Sequence, residues 1–189
     1  LSGQNQLDFG LQSTYNNIRY DYLQNDTLDV LNRLDEGFTH SFYLQDKHTF
    51  FEKLIVKGGL RTSLYSVTGK LYAEPRASLT YLFSKGIKLK GAWGRYNQFA
   101  TRIVREDIQQ GSRDFWLLAD DESVPVGSAT HYIAGVSFET PVWLFDVEAY
   151  LKKLDGLSEY TTRFAPSGFG PGATLNYEEF FYTGKGKAK

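Results

Sequence analysis

Leu54-Ile55-Val56-Lys57-Gly58-Gly59-Leu60-Arg61-Thr62-Ser63-Leu64-Tyr65 separates into two rows. Leu54, Val56, Gly58, Leu60, Thr62 and Leu64 make one row, and Ile55, Lys57, Gly59, Arg61, Ser63 and Tyr65 the other. A period of two with the charges confined to one row is the pattern of a β-strand with one apolar and one wet face. The charges stand in mid-strand, where a soluble barrel would need apolar side chains to fill its interior.

Working outward, the same pattern recurs and predicts strands over 7–22, 39–48, 54–65, 71–83, 87–96, 130–139 and 144–153, with an eighth starting near 181. In the fourth, Ala73, Ala77, Leu79, Tyr81 and Phe83 oppose Glu74, Arg76, Ser78 and Thr80. Pro75 lacks a ladder donor and is expected near the outer rim. In the seventh, Phe145, Val147, Ala149 and Leu151 oppose Asp146, Glu148, Tyr150 and Lys152. The links over 49–53, 84–86 and 140–143 are short; those over 23–38, 97–129 and 154–181 are long, and 66–70 is intermediate. Short turns at one end and long loops at the other are the arrangement of outer-membrane barrels.

Composition agrees. Aromatic residues make up 16% of the 189, yet hydrophobic residues reach only 41%. Apolar runs such as 141–145 are far below the ~18 residues a membrane helix needs, whereas a barrel strand meets lipid with every second side chain only. Phe50, Phe51, Phe83, Phe138, Trp143 and Phe145 gather by the short turns, and Tyr65, Tyr72, Trp93 and Tyr96 by the other ends, as two interfacial belts would. A net charge of -1 offers no field for nucleic acid, and without Cys there is no thiol chemistry. The chain starts at Leu1 and has no Met, so a fragment or a processed chain is expected.

Leu71-Tyr72-Ala73-Glu74-Pro75-Arg76-Ala77-Ser78-Leu79-Thr80-Tyr81, followed by Ile87-Lys88-Leu89-Lys90-Gly91-Ala92-Trp93-Gly94-Arg95-Tyr96, resembles a pair of strands in TonB-dependent receptors, particularly those of Bacteroidetes. Phe42 to Lys47, Phe145 to Lys153 and the closing Tyr182 to Lys189 resemble further strands of that family, in the same order. The resemblance implies an antiparallel up-and-down transmembrane β-barrel wall, about eight strands of a larger barrel of about 22. It further implies a plug domain that is absent from residues 1–189, outer-membrane lipid around the wall, a TonB-type energising complex acting through the plug, and a scarce small solute as ligand. Siderophore, haem, cobalamin, oligosaccharide and peptide all remain open as the solute. A soluble or periplasmic all-β domain that binds sugar or lipid is the alternative.

No catalytic site, metal site or cofactor is expected. His40, His48 and His131 lack a ligand spacing, and Asp146 with Glu148 reads as wetted wall. Gly184-Lys185-Gly186-Lys187 lacks the Ser or Thr of a phosphate loop, and the glycosylation sequon Asn25-Asp26-Thr27 has little meaning in a bacterial outer membrane. The loop 97–129 is too long for an idle spacer. It carries Arg102, Arg105 and Arg113, then Phe115 and Trp116, then Asp120, Asp121 and Glu122. Arg113, Phe115, Trp116 and Asp120 are therefore the candidate ligand contacts, with the loop folded inward over the barrel mouth; the other reading has Phe115 and Trp116 merely pinning the loop to the wall. Produced alone, this chain should aggregate or require detergent, since its apolar face and two edge strands are uncovered. A monodisperse species in plain buffer, measured by light scattering, would contradict the membrane reading.

Overall fold

Three hairpin turns set the register of the sheet, and the tightest joins Phe50 to Lys53. Phe51 and Glu52 both take positive φ, 51° and 57°, and the Lys53 amide donates to the Phe50 carbonyl at 3.1 Å. Both left-handed residues fall in the three-residue connection 51–53 between Phe50 and Leu54. At the second turn Gly86 has φ 79°, and the Phe83 amide donates to the Ile87 carbonyl at 2.7 Å. At the third, Thr140 Oγ1 accepts from the Trp143 amide at 2.8 Å.

The structure is a computed structural model that describes residues 5–24, 28–83, 86–105, 113–166 and 175–189. Ten strands follow in order: β1 (Asn5–Gln24), β2 (Leu28–Phe50), β3 (Leu54–Tyr65), β4 (Lys70–Leu82), β5 (Ile87–Gln98), β6 (Ala100–Arg105), β7 (Arg113–Leu118), β8 (Gly127–Glu139), β9 (Leu144–Pro166) and β10 (Leu175–Ala188). Eight of them form one antiparallel sheet in the order β1-β2-β3-β4-β5-β8-β9-β10, and β6 and β7 form a separate hairpin. This is an up-and-down wall. It is open at β1 and β10, the edges that closure of a barrel would remove.

Direct cross-strand partners share a face, so the register gives the faces without ambiguity. Leu44, Leu60 and Pro75 form one row, and Val56, Leu79, Gly91, Ala134 and Ala149 another. Leu89, Val136 and Val147 align in a third. Leu60, Leu79, Leu89, Val136 and Val147 are all exposed on this apolar face, and Leu54 and Val56 lie on it half-buried. Buried residues stand instead on the opposite, polar face, where Ser41, Ser63, Glu74 and Ser137 are covered. A sheet that buries its hydroxyls and carboxylates while exposing its leucines is inverted relative to a water-soluble one.

Three expectations require correction. Residues 28–38 and 154–166 are strand rather than loop, so β2 and β9 each run to 23 residues. About 9–11 residues suffice for a strand to span a bilayer, and these two are about twice that length. Their added residues lack the period-two hydropathy alternation, while the hydrogen-bond ladder continues through them. The loop 97–129 likewise contains the β6–β7 hairpin. Pro75 stands level with mid-β3 rather than at the rim, but the β4–β5 ladder ends beside it, at Arg76 opposite Gly94.

In lipid vesicles, Leu79→Arg should cost about 2–4 kcal/mol of folding free energy, the magnitude for a cation at the midplane of a barrel's lipid face. Thr80→Arg, on the other face, should cost well under half of that. Reversible urea unfolding in vesicles measures both, and equal costs would contradict the assignment of faces.

Candidate functional site

Where the β4–β5 ladder stops, a carboxylate takes over. Glu74 Oε1 accepts the Asn97 amide at 2.7 Å, and its Oε2 accepts from Arg76 at 3.1 Å and lies 3.9 Å from Arg61 Nε. Arg61 also donates to Gln12 at 3.0 Å and to Ser41 at 3.1 Å, and Ser41 bonds Ser63 at 2.9 Å. One buried carboxylate between two guanidinium groups is satisfied on both oxygens, the condition under which a buried charge is tolerated. The Arg76 guanidinium lies 4.5 Å from the Tyr96 ring centroid, and that ring is 4.9 Å from His131. Gln45, Lys57, Arg76, Tyr96 and His131 line a cavity of about 170 Å³ on this polar face. Nearer the short turns the charges are also paired, Lys88 with Glu139 at 2.5 Å and Lys90 with Asp146 at 2.6 Å.

The β6–β7 hairpin bends over this wall. Its β6 strand packs on β9 and its β7 strand on β1 and β2, so it reaches across the polar face between distant strands. Phe99 anchors its base: the ring sits 4.7 Å from Tyr65 and 5.1 Å from Tyr72, and its carbonyl accepts from the Tyr65 hydroxyl at 3.3 Å. Gly37 makes room on β2, since a Cβ there would meet Val67 Cγ2 at 2.5 Å and Leu118 Cδ1 at 3.4 Å. On the hairpin's inner side Ile103, Phe115 and Leu117 join Ala119 and Val124 in a small apolar core. On its outer side Trp116 stays 50% exposed, and Arg102 pairs with Asp114.

The acidic cluster does not point outward as a group. Asp120 Oδ1 accepts the amides of Glu122, Ser123 and Val124 at 2.8–3.0 Å. Burial works against its ionisation, but these amides outweigh burial and hold the Asp120 carboxyl below the ordinary range. Asp121 is held low chiefly by the Val126 amide, against some burial, and further by Lys70 at 2.9 Å and the Tyr72 hydroxyl at 3.0 Å. Asp121 thereby ties the returning loop to the rim of β4.

Of the four candidate contacts, Phe115 is buried in the hairpin core, Trp116 is open, and Asp120 is committed to its own loop. The Arg113 side chain lies outside the described residues. Sequence reasoning missed Glu74, Tyr65, Tyr72, Phe99 and Gly37. Each acts through a partner tens of residues away, and no local spacing announces that.

No family profile and no curated protein matches the sequence. Solved structures do share its fold, among them two siderophore receptors. The siderophore receptor PirA from Pseudomonas aeruginosa is 12% identical and aligns over 99% of this chain and 35% of its own, with a TM-score of 0.64. The siderophore receptor PirA from Acinetobacter baumannii is 12% identical over 95% of this chain and 32% of its own, with a TM-score of 0.55. The chain spans about a third of the length of the solved structures it matches, and it has the architecture of part of their barrel wall.

Because both folded-state carboxyls are lowered, their contribution to holding the loop exists above the usual aspartate pKa of about 3.9 and disappears as pH falls through their folded values. In a Trp93→Phe, Trp143→Phe background, Trp116 fluorescence should stay constant from pH 8 to about pH 5 and shift below about pH 4. Asp121→Asn should move the onset upward. A flat signal down to pH 3 would contradict the clasp.

Proposed function

We propose that this chain is barrel wall from a TonB-dependent receptor of the bacterial outer membrane, which takes up a scarce solute under the β6–β7 hairpin. The observation that carries this reading is the inverted sheet: its apolar face is continuous and exposed, its polar face is ion-paired, and the buried apolar cluster among the described residues belongs to the hairpin on that polar face. An exposed apolar face of this extent disfavours the soluble ligand-binding domain.

Ferric siderophore stands first among the solutes, because both solved structures of this fold named above are siderophore receptors. Haem, cobalamin and oligosaccharide come next. A plug domain and a TonB-type complex would supply the gate and the energy; this segment would supply wall and lid. Within the lid, Trp116 is the group available for stacking on a solute, with Arg102 and Asp114 beside it, while Phe115 and Asp120 serve by holding the hairpin and its return loop in place.

In the intact receptor, Trp116→Ala should weaken uptake at limiting solute by about tenfold, one good aromatic contact, with the barrel still folded. Phe115→Ala should reduce uptake as well, but together with a change in hairpin order. Growth under iron limitation on a panel of ferric siderophores, with haem and cobalamin as comparisons, measures this. Unchanged uptake of every solute by Trp116→Ala would exclude the binding role.

A further inference from the structure

On the polar face Arg61, Arg76, Lys88 and Lys90 stand beside carboxylates, whereas three cations of the apolar face do not. Arg95, Thr130, Lys153 and Lys187 are successive cross-strand partners on β5, β8, β9 and β10. One residue pair further along, Ser128, Asp155 and Lys185 align, with Lys185 Nζ 2.9 Å from Asp155. Arg95, Ser128, Thr130, Lys153, Asp155, Lys185 and Lys187 line a single cavity of about 650 Å³. Among the described residues no carboxylate lies within ion-pair distance of Arg95, Lys153 or Lys187. Lys153 and Lys187 are moreover opposed like charges on neighbouring strands, an arrangement that destabilises a sheet unless an anion bridges it.

The height of this cluster is informative. Arg95 is eight residues from the start of β5 and Lys153 nine from the start of β9. At about 3.3 Å per residue and a tilt of about 40°, that is roughly 20–23 Å above the short turns, near the upper edge of an apolar band about 25 Å tall. The row beneath holds Trp93, Tyr132 and Leu151, with Lys153 Nζ 5.6 Å from the Tyr132 ring centroid. Under that row Gly91, Ala134 and Ala149 form a strip of small residues. These residues, with Val56, Leu79, Trp93, Tyr132 and Leu151, line an apolar cavity of about 680 Å³. Cationic pocket and apolar groove are two rows apart on the same face, about 13 Å along the strand.

We propose that this outward surface is a lipid site, in which Arg95, Lys153 and Lys187 hold the phosphate of a phosphorylated membrane lipid and the groove over Gly91, Ala134 and Ala149 holds one of its acyl chains. The cations supply charge-assisted hydrogen bonds, Ser128 and Thr130 offer hydroxyl donors, and Lys185 is already partly neutralised by Asp155. The site would tie the wall to one lipid class at the long-loop end. It rests on the membrane placement of the wall and is independent of which solute is carried.

The test uses the intact receptor in nanodiscs of phosphatidylcholine doped with a bis-phosphorylated disaccharide lipid or with its dephosphorylated counterpart, and native mass spectrometry counts the retained lipid. The phosphorylated form should be retained preferentially. The variant Arg95→Gln, Lys153→Gln, Lys187→Gln should lose that retention by on the order of a hundredfold. Lys152→Gln, adjacent but on the other face, should leave it unchanged, and Ala134→Phe should weaken lipid retention without altering binding of inorganic pyrophosphate. Equal retention of the two lipids, or undiminished retention by the triple variant, would overturn the site. Pyrophosphate binding without lipid binding would overturn the lipid assignment. A receptor that fails to enter nanodiscs would overturn the membrane reading as well, so the two failures are told apart.

Discussion

In the proposed membrane setting a backbone amide inside hydrocarbon has no water to bond, so the structure depends on its inter-strand ladder. The eight-stranded sheet meets that demand with direct antiparallel neighbours and three tight turns. Once the ladder is in place, the period of two leaves no freedom: a slip of one residue would exchange Leu79 for Thr80 and send Arg61, Glu74 and Lys90 to the apolar side. The long strands follow from the same logic. Pairing stays favourable past the apolar band, and β1 with β2, and β9 with β10, continue as ribbons.

Where the β4–β5 ladder ends, the polar face becomes structurally specific. Pro75 has no amide to donate, and β4 and β5 part company beside it. Glu74 then serves the Asn97 amide and gathers Arg61 and Arg76, so a backbone defect and a buried charge satisfy each other. Asn97 and Phe99 lie at the root of the hairpin that closes over the wall, and the orientation of that hairpin therefore begins at Glu74. The apolar side has the reverse character, with the cations Arg95, Lys153 and Lys187 above an aromatic row and a groove of small residues below it.

Much of this was legible beforehand. Strands over 54–65, 71–83, 87–96, 130–139 and 144–153 were readable because one face of each meets a different medium from the other. The extensions of β2 and β9 were not, because their residues lack the alternation that marks a strand. The loop 97–129 was recognisable as important from its length and its Phe115-Trp116-Leu117-Leu118 run. The division of labour inside it was not readable. Pairing of Ile103 with Phe115 and of Arg102 with Trp116 buries the first ring and exposes the second, and only the hairpin register makes that choice.

What the sequence determined by itself is therefore the sidedness of each strand, since alternation is a local property that survives in any neighbourhood. Tertiary structure alone decided which charges meet. Glu74 and Asn97 are 23 residues apart, and Lys70 and Asp121 are 51 apart. Such pairs carry no mark in the chain, because a carboxylate reads the same whether its partner is water, a guanidinium or a distant amide. Likewise, the cationic row of Arg95, Lys153 and Lys187 comes from three strands that share no motif, and only lateral pairing of those strands brings the charges to one height on one face.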